Sequence, residues 1–135
     1  MNIPNLWSAV HDLEAEVAPF TILKQQASNL TQATKGILEG SIGRSAVNDR
    51  VFLSFRLIAP VLDHYSFDLF SARHDILASY PIDIFPEKTL KEEFIRASDA
   101  DEFIRVLQAM LTSENTQQIL RSLIAQSEAL TGRRM

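Results

Sequence analysis

Two histidines of this chain lie beside carboxylate side chains, an arrangement that can support acid–base chemistry or metal binding. His64 follows Asp63, and His74 lies between Arg73 and Asp75. A neighbouring carboxylate or other acceptor fixes the orientation and the tautomer of an imidazole. Asp63, His64, Arg73 and His74 are therefore a candidate polar rim for a small-molecule site.

The two histidines cannot belong to the same site if they lie on one strand. Ten residues separate His64 from His74, which corresponds to roughly 33 Å at about 3.3 Å per residue. His11 is far from both in sequence. The favoured interpretation is that these are loop or strand-end histidines without a catalytic task, and a single-histidine site is the alternative.

The remaining motifs do not match known catalytic or binding templates. The glycine-containing segment 40–45 has Leu38 where a phosphate-binding loop needs its first glycine, and Arg44 where that loop needs lysine. Asp99, Asp101 and Glu102 lie where a helix is predicted to begin, so their charges complement the helix dipole. The sequence therefore assigns no catalytic residue, no cofactor and no metal ligand, and whether the protein is an enzyme stays open.

Composition limits the class of protein and its partners. The 135 residues are 46% hydrophobic and 22% charged, as in a single globular domain spanning 1–135. There is no cysteine, which agrees with a reducing, cytoplasmic location. No signal sequence or apolar run of about 20 residues suggests secretion or a membrane span. The net charge is −4 and no segment is strongly basic, which argues against nucleic acid as a partner.

Hydrophobic periodicity predicts helices at both ends of the chain. Leu6, Val10, Leu13 and Val17 recur at spacings of four, three and four residues, which places them on one helical face. Similar spacings of apolar residues occur in residues 20–35 and near the C-terminus. The predicted helices cover residues 4–17, 20–35, 99–112 and 114–131.

Alternating apolar and polar residues predict strands in the middle of the chain, where seven of the eleven aromatic residues lie between Phe52 and Phe85. Residues 43–50 are interpreted as a polar loop, and 90–97 fit either a fifth strand or a helix. The predicted strands cover residues 37–42, 51–59, 65–73, 79–85 and, in the first of those alternatives, 90–97. The predicted fold is α+β: an antiparallel meander of four or five strands flanked by two N-terminal and two C-terminal helices, in the order ααβββ(β)(β)αα.

Matching the apolar faces of the second and third strands fixes one hairpin register. The three pairs that define it are Leu57 with Phe67, Phe55 with Leu69, and Arg56 with Asp68. The first two pairs lie on the buried face, where the C-terminal helices are expected to pack. The third is an ion pair on the other face.

That other face mixes large apolar groups with charges, a composition typical of interaction surfaces. Its predicted members are Phe52, Ser54, Arg56, Ile58, Asp68, Phe70, Asp83 and Phe85. The expected function is a protein-interaction or homodimeric domain that uses this face. Two alternatives are that the N-terminal helices cover the face, and that a small-molecule pocket, serving a binding protein or an enzyme, lies between sheet and helices.

Overall fold

The computed structural model describes residues 1–86 and 93–132, and it confirms the α+β fold. A five-stranded antiparallel sheet follows one helix and precedes two more. In chain order the elements are α1 (Pro19–Ala33), β1 (Glu39–Val47), β2 (Arg50–Ala59), β3 (Tyr65–Asp75), β4 (Ala78–Pro86), β5 (Ile95–Ala97), α2 (Ala100–Leu111) and α3 (Glu114–Thr131). Every strand pairs with its neighbours in sequence, which makes the sheet a meander with β1 and β5 at its edges.

The first hairpin is longer than the sequence predicts. Residues 43–47, expected in a loop, continue β1 and pair with the start of β2. Asn48 and Asp49 form the turn with φ of 51° and 63°, a conformation that these two residue types tolerate and that suits tight hairpins. This two-residue turn keeps residues 43–47 of β1 in register with β2, although the composition of that segment is poor for a strand.

The predicted helix over 4–17 does not form in the structure. Only Val10–Asp12 make a turn of 3₁₀ helix, and every residue from 1 to 17 is exposed. We call residues 1–17 the N-terminal arm. A short helix gains most of its stability from packing its apolar side, and no residue of this arm is buried against the described core.

The predicted register of β2 and β3 is observed on one side of a β-bulge. Leu57 pairs with Phe67 and Arg56 with Asp68, but Phe55 then pairs with Phe70 because Leu69 is the extra residue. Leu69 and Phe70 are consequently both buried, and the Phe70 ring stacks on that of Phe55 at 5.3 Å. Phe70 thus belongs to the core, and its predicted position on the other face is wrong.

All three helices pack against one face of the sheet, which we call the inner face. α1 crosses β1 so closely that a Cβ atom on Gly40 would lie 2.6 Å from the Cα of Ala27. Phe103 of α2 is fully buried and meets the ring of Tyr80 edge-on. The side chains of β2 that build this core are Val51, Leu53, Phe55, Leu57 and Ala59.

Both C-terminal helices begin at side-chain caps. The Asp99 carboxylate accepts a hydrogen bond from the backbone N–H of Glu102 at 2.8 Å, and the Ser113 hydroxyl accepts one from that of Thr116 at 3.3 Å. Gly132, with a φ of 72°, ends α3. The predicted strand over 90–97 is observed at Ile95–Ala97, where β5 pairs with β4, and residues 90–92 lie outside the described part of the chain.

Candidate interaction surfaces

The face of the sheet opposite the helices carries seven of the eight residues predicted for an interaction surface. We call this the outer face. Its residues from that prediction are Phe52, Ser54, Arg56, Ile58, Asp68, Asp83 and Phe85. Phe52 remains 40% exposed although it is a large apolar side chain on β2, which is flanked by β1 and β3. The alternation of β2 therefore separates a buried apolar row from a mixed, solvent-facing row.

Asp83 is the centre of a charged cluster on the outer face. Its carboxylate accepts hydrogen bonds from Arg96 at 2.8 and 3.3 Å and from Arg73 at 3.3 Å, and its side chain is only 11% exposed. The hydrogen bonds from Arg96 lower the pKa of Asp83, burial opposes them, and Arg73 adds to the lowering. The cluster therefore holds a carboxylate that favours its charged form.

Aromatic rings support the two guanidinium groups of this cluster. Arg73 lies 5.2 Å from the centre of the Phe85 ring, and Arg96 lies 5.6 Å from that of Phe94. The two rings are themselves 5.8 Å apart. Arginines held over aromatic faces combine charge with apolar area, as in many protein interfaces.

Arg96 and Phe94 were not among the predicted interface residues. Arg96 stands opposite Asp83 in the pairing of β4 with β5. The sequence offered a signal, a charge complementary to Asp83 one hairpin away, but only a definite strand at 90–97 would have revealed it. The predicted interaction surface therefore lacked Arg96 and Phe94, which belong to the charged cluster around Asp83.

Two further ion pairs extend the mixed character of the outer face. Arg56 and Asp68 meet at 2.9 Å, with 42% and 43% of their side chains exposed, which confirms the predicted cross-strand pair. Arg50 and Asp75 lie 4.0 Å apart near the end of the same hairpin. The arginines on this face are thus matched by carboxylates, and the surface carries both signs of charge.

The predicted polar rim is divided between the two ends of β3. Asp63 and His64 form the turn before this strand, with φ of 56° and 55°, whereas Arg73 and His74 lie near its other end. Arg73 and His74 line a small polar hollow of about 170 Å³ near Asp83. Within residues 1–86 and 93–132, no three His, Asp or Glu side chains form a group that could hold a metal ion.

An apolar groove lies on the inner side between β3 and the two C-terminal helices, in the layer between sheet and helices where one alternative interpretation of the sequence placed a small-molecule pocket. It consists of a cavity of about 400 Å³ beside Met110 and Phe70, and a second of about 530 Å³ beside Leu62 and Gln126. Both are lined by Phe67 and Ile119, so they adjoin. Phe67 is only half-buried, because the groove takes up part of the inner face that the helices leave open.

No described helix is both long and apolar enough to cross a membrane. Comparisons with protein-family models, with curated proteins and with solved structures gave no match to this chain.

Proposed function

We propose that this protein is a non-enzymatic interaction domain that self-associates through the outer face of its sheet. The observation that carries the proposal is the one-sided layering: α1, α2 and α3 pack against the inner face, and a row of aromatic, aliphatic and charged side chains is left on the other. A wholly solvated sheet face has no need of Phe52, Ile58 and Phe85.

The charge pattern supports a second copy of the same chain as the partner. A twofold contact places the same patch on both sides of an interface, so a patch that carries both signs can meet its own complement. The outer face has Arg50, Arg56 and Arg96 beside three aspartates that they contact. A partner of one strong charge sign would find no matching field here.

The size of the outer face agrees with a stable contact. Four long strands at about 4.8 Å spacing and a length of about 30 Å outline roughly 600 Å² per copy. Pleating and side chains raise the accessible area above this flat outline. The total for two copies then reaches the range of about 1,200–2,000 Å² that specific interfaces bury.

Light scattering after gel filtration tests the proposal with a matched pair of variants. In dilute solution the wild-type chain is expected to have the mass of two copies, and Ile58→Asp that of one, because it adds an unpaired charge to the contact face. Leu77→Asp is the control: Leu77 is 97% exposed in the turn between β3 and β4, away from the sheet face. It should leave the mass of two copies unchanged.

Two results would contradict self-association through this face. One is a wild-type chain that remains monomeric at the highest soluble concentration. The other is an Ile58→Asp variant that keeps the mass of the wild type at every concentration, including the most dilute, while its circular dichroism shows an intact fold.

A further inference from the structure

The N-terminal arm displays apolar side chains that have no place to pack in their own chain as described. Leu6 is 81% exposed, Trp7 77% and Leu13 72%. Together with Val10 and Val17 they have the spacing of an amphipathic helix, so that folding the arm would gather Leu6, Val10, Leu13 and Val17 into one stripe. Such a stripe needs an apolar surface to cover it.

The apolar groove is a surface of the matching kind. Its two adjoining cavities run between β3 and α3, and residues such as Phe67, Met110 and Ile119 line them. Among the described residues, no carboxylate lines either cavity, so the acidic residues Asp12, Glu14 and Glu16 of the arm meet no like charge from that part of the lining. Grooves beside packed helices commonly receive the apolar side of an amphipathic helix.

We propose that the arm folds as an amphipathic helix in the apolar groove of a second copy of this chain. The groove of the chain to which the arm belongs is out of reach for most of the apolar stripe. The hydroxyl of Tyr80 donates a hydrogen bond to the backbone carbonyl of Val17 at 2.8 Å, which fixes the base of the arm at the start of β4. That end of the sheet is about seven residues along β3 from Phe67, or roughly 23 Å.

A helix over 4–17 is about 21 Å long, so with Val17 held at Tyr80 only its tip would approach the groove of the same chain. Leu13 and Val17 would stay at the anchor. The groove of a second copy has no fixed position relative to this Tyr80, so it can lie beside the anchor and receive the whole stripe while Val17 stays at Tyr80 of its own chain. The arm contact goes beyond the proposed function, because it uses the inner side of the sheet and leaves the outer face free.

The area involved is sufficient for a stable dimer. A large apolar side chain buries on the order of 100 Å², so the four stripe residues and Trp7 remove roughly 500 Å² per arm from water. The groove contributes a similar area, and a reciprocal exchange involves two arms. The total of roughly 2,000 Å² is that of specific interfaces.

Trp7 provides the test, because it is the only tryptophan of the chain and lies within the arm. The experiment measures its emission maximum and its quenching by acrylamide in the full-length chain carrying Ile58→Asp, which removes the proposed outer-face contact. We expect the emission to shift to shorter wavelength and the quenching to fall as protein concentration rises, and both changes to reverse on dilution.

Two variants in this background test the two sides of the contact. Ile119→Asp, in the groove, and Leu13→Asp, in the arm, should each abolish the concentration-dependent shift. Leu13 is exposed and remote from the core, so its replacement cannot act by unfolding the domain. Ile104→Asp is the helix control, since Ile104 is 46% exposed on α2 and does not line the groove, and it should retain the shift.

Three outcomes would overturn the proposal. A short-wavelength emission that is independent of concentration would mean that the arm folds onto its own chain. An emission that stays at the solvent-exposed wavelength throughout would exclude arm docking and leave the groove as a small-molecule site. A shift that survives Leu13→Asp would show that the stripe does not make the contact.

Discussion

At the scale of single residues, the environment of Asp83 differs clearly from that of an ordinary surface carboxylate. It lies on the outer face yet is nearly buried, because Arg73 and Arg96 lie over it and are themselves held by Phe85 and Phe94. The hydrogen bonds from Arg96 are the main reason that its pKa is lowered. The cluster therefore links the three strands β3, β4 and β5 by charge.

Asp83 should make the stability of the fold depend on pH in the acid range. A carboxyl with a lowered pKa binds fewer protons in the folded state, so its stabilisation is present above the ordinary range near pH 4 and is lost as pH falls below it. Asp83→Asn should reduce the free energy of unfolding at neutral pH by on the order of 1 kcal/mol, since solvent screens the exposed Arg96. Urea denaturation of both proteins at neutral and at acid pH measures the effect. The difference between them should shrink at acid pH, and a constant difference would contradict this account.

The glycines of β1 provide a second residue-scale prediction. A Cβ atom on Gly40 would lie 2.6–2.8 Å from the backbone and Cβ of Ala27, whereas one on Gly43 would meet only the hydroxyl of Ser54 at 2.7 Å. The backbone of α1 cannot move cheaply, but a serine hydroxyl can rotate. Gly40→Ala should therefore cost about 1–3 kcal/mol, and Gly43→Ala much less. Thermal denaturation of the two variants compares them directly, and equal losses would show that α1 yields without strain.

At the scale of secondary-structure elements, the β-bulge in β3 separates the part of the predicted β2–β3 register that is observed from the part that is not. The hydrophobic periodicity of α1, α2 and α3 is strong, and the apolar faces of β2 and β3 have a single good match, so these elements and the pair Arg56–Asp68 could be predicted. The bulge could not be predicted, because Leu69 and Phe70 are both apolar and either one fits the inner face. One additional residue therefore moved Phe70 from the predicted surface into the core.

The bulge also gives different environments to Phe55 and Phe67, two aromatic residues that the sequence places on the same buried face. Phe55 is 2% exposed and stacks on Phe70, whereas Phe67, before the bulge, is half-buried at the groove. Phe55→Ala should cost about 3–5 kcal/mol because it leaves a closed cavity. Phe67→Ala should cost only about 1–2 kcal/mol, since solvent can fill the space it leaves. Chemical denaturation curves for the two variants test the ranking, and a larger loss for Phe67→Ala would mean that the groove is closed.

At the scale of the whole molecule, the sequence could predict that some surface would be left uncovered but not which elements would leave it so. The spacing of Leu6, Val10, Leu13 and Val17 predicts a helix as strongly as the spacing in α1 does. Hydrophobic periodicity describes only the apolar side of the helix, however. A short helix is stable only when that side packs against another apolar surface. The groove depends on the distance between α3 and β3, which no local pattern encodes.

Removal of residues 1–15 should leave the domain as stable as the intact chain when both are dilute. Every residue of this segment is exposed, and the contact of Tyr80 is with Val17, which the truncated chain retains. The midpoints of thermal unfolding, measured by circular dichroism at low protein concentration, should coincide. A clear decrease on truncation would show that the arm stabilises its own chain and would place its apolar side chains in the core after all.

The meander leaves β1 with one long side that has no neighbouring strand in the described sheet. An unpaired strand edge offers hydrogen-bonding groups to any extended segment, and it is where growth into fibrils begins. β1 is a poor template for such growth, since Gly40 and Gly43 lower its β-propensity and Glu39 and Arg44 add charge. Gly40, which admits α1 at one end of this strand, and Gly43 thus also protect the protein from aggregation, and substitutions that raise the β-propensity of β1 would weaken that protection.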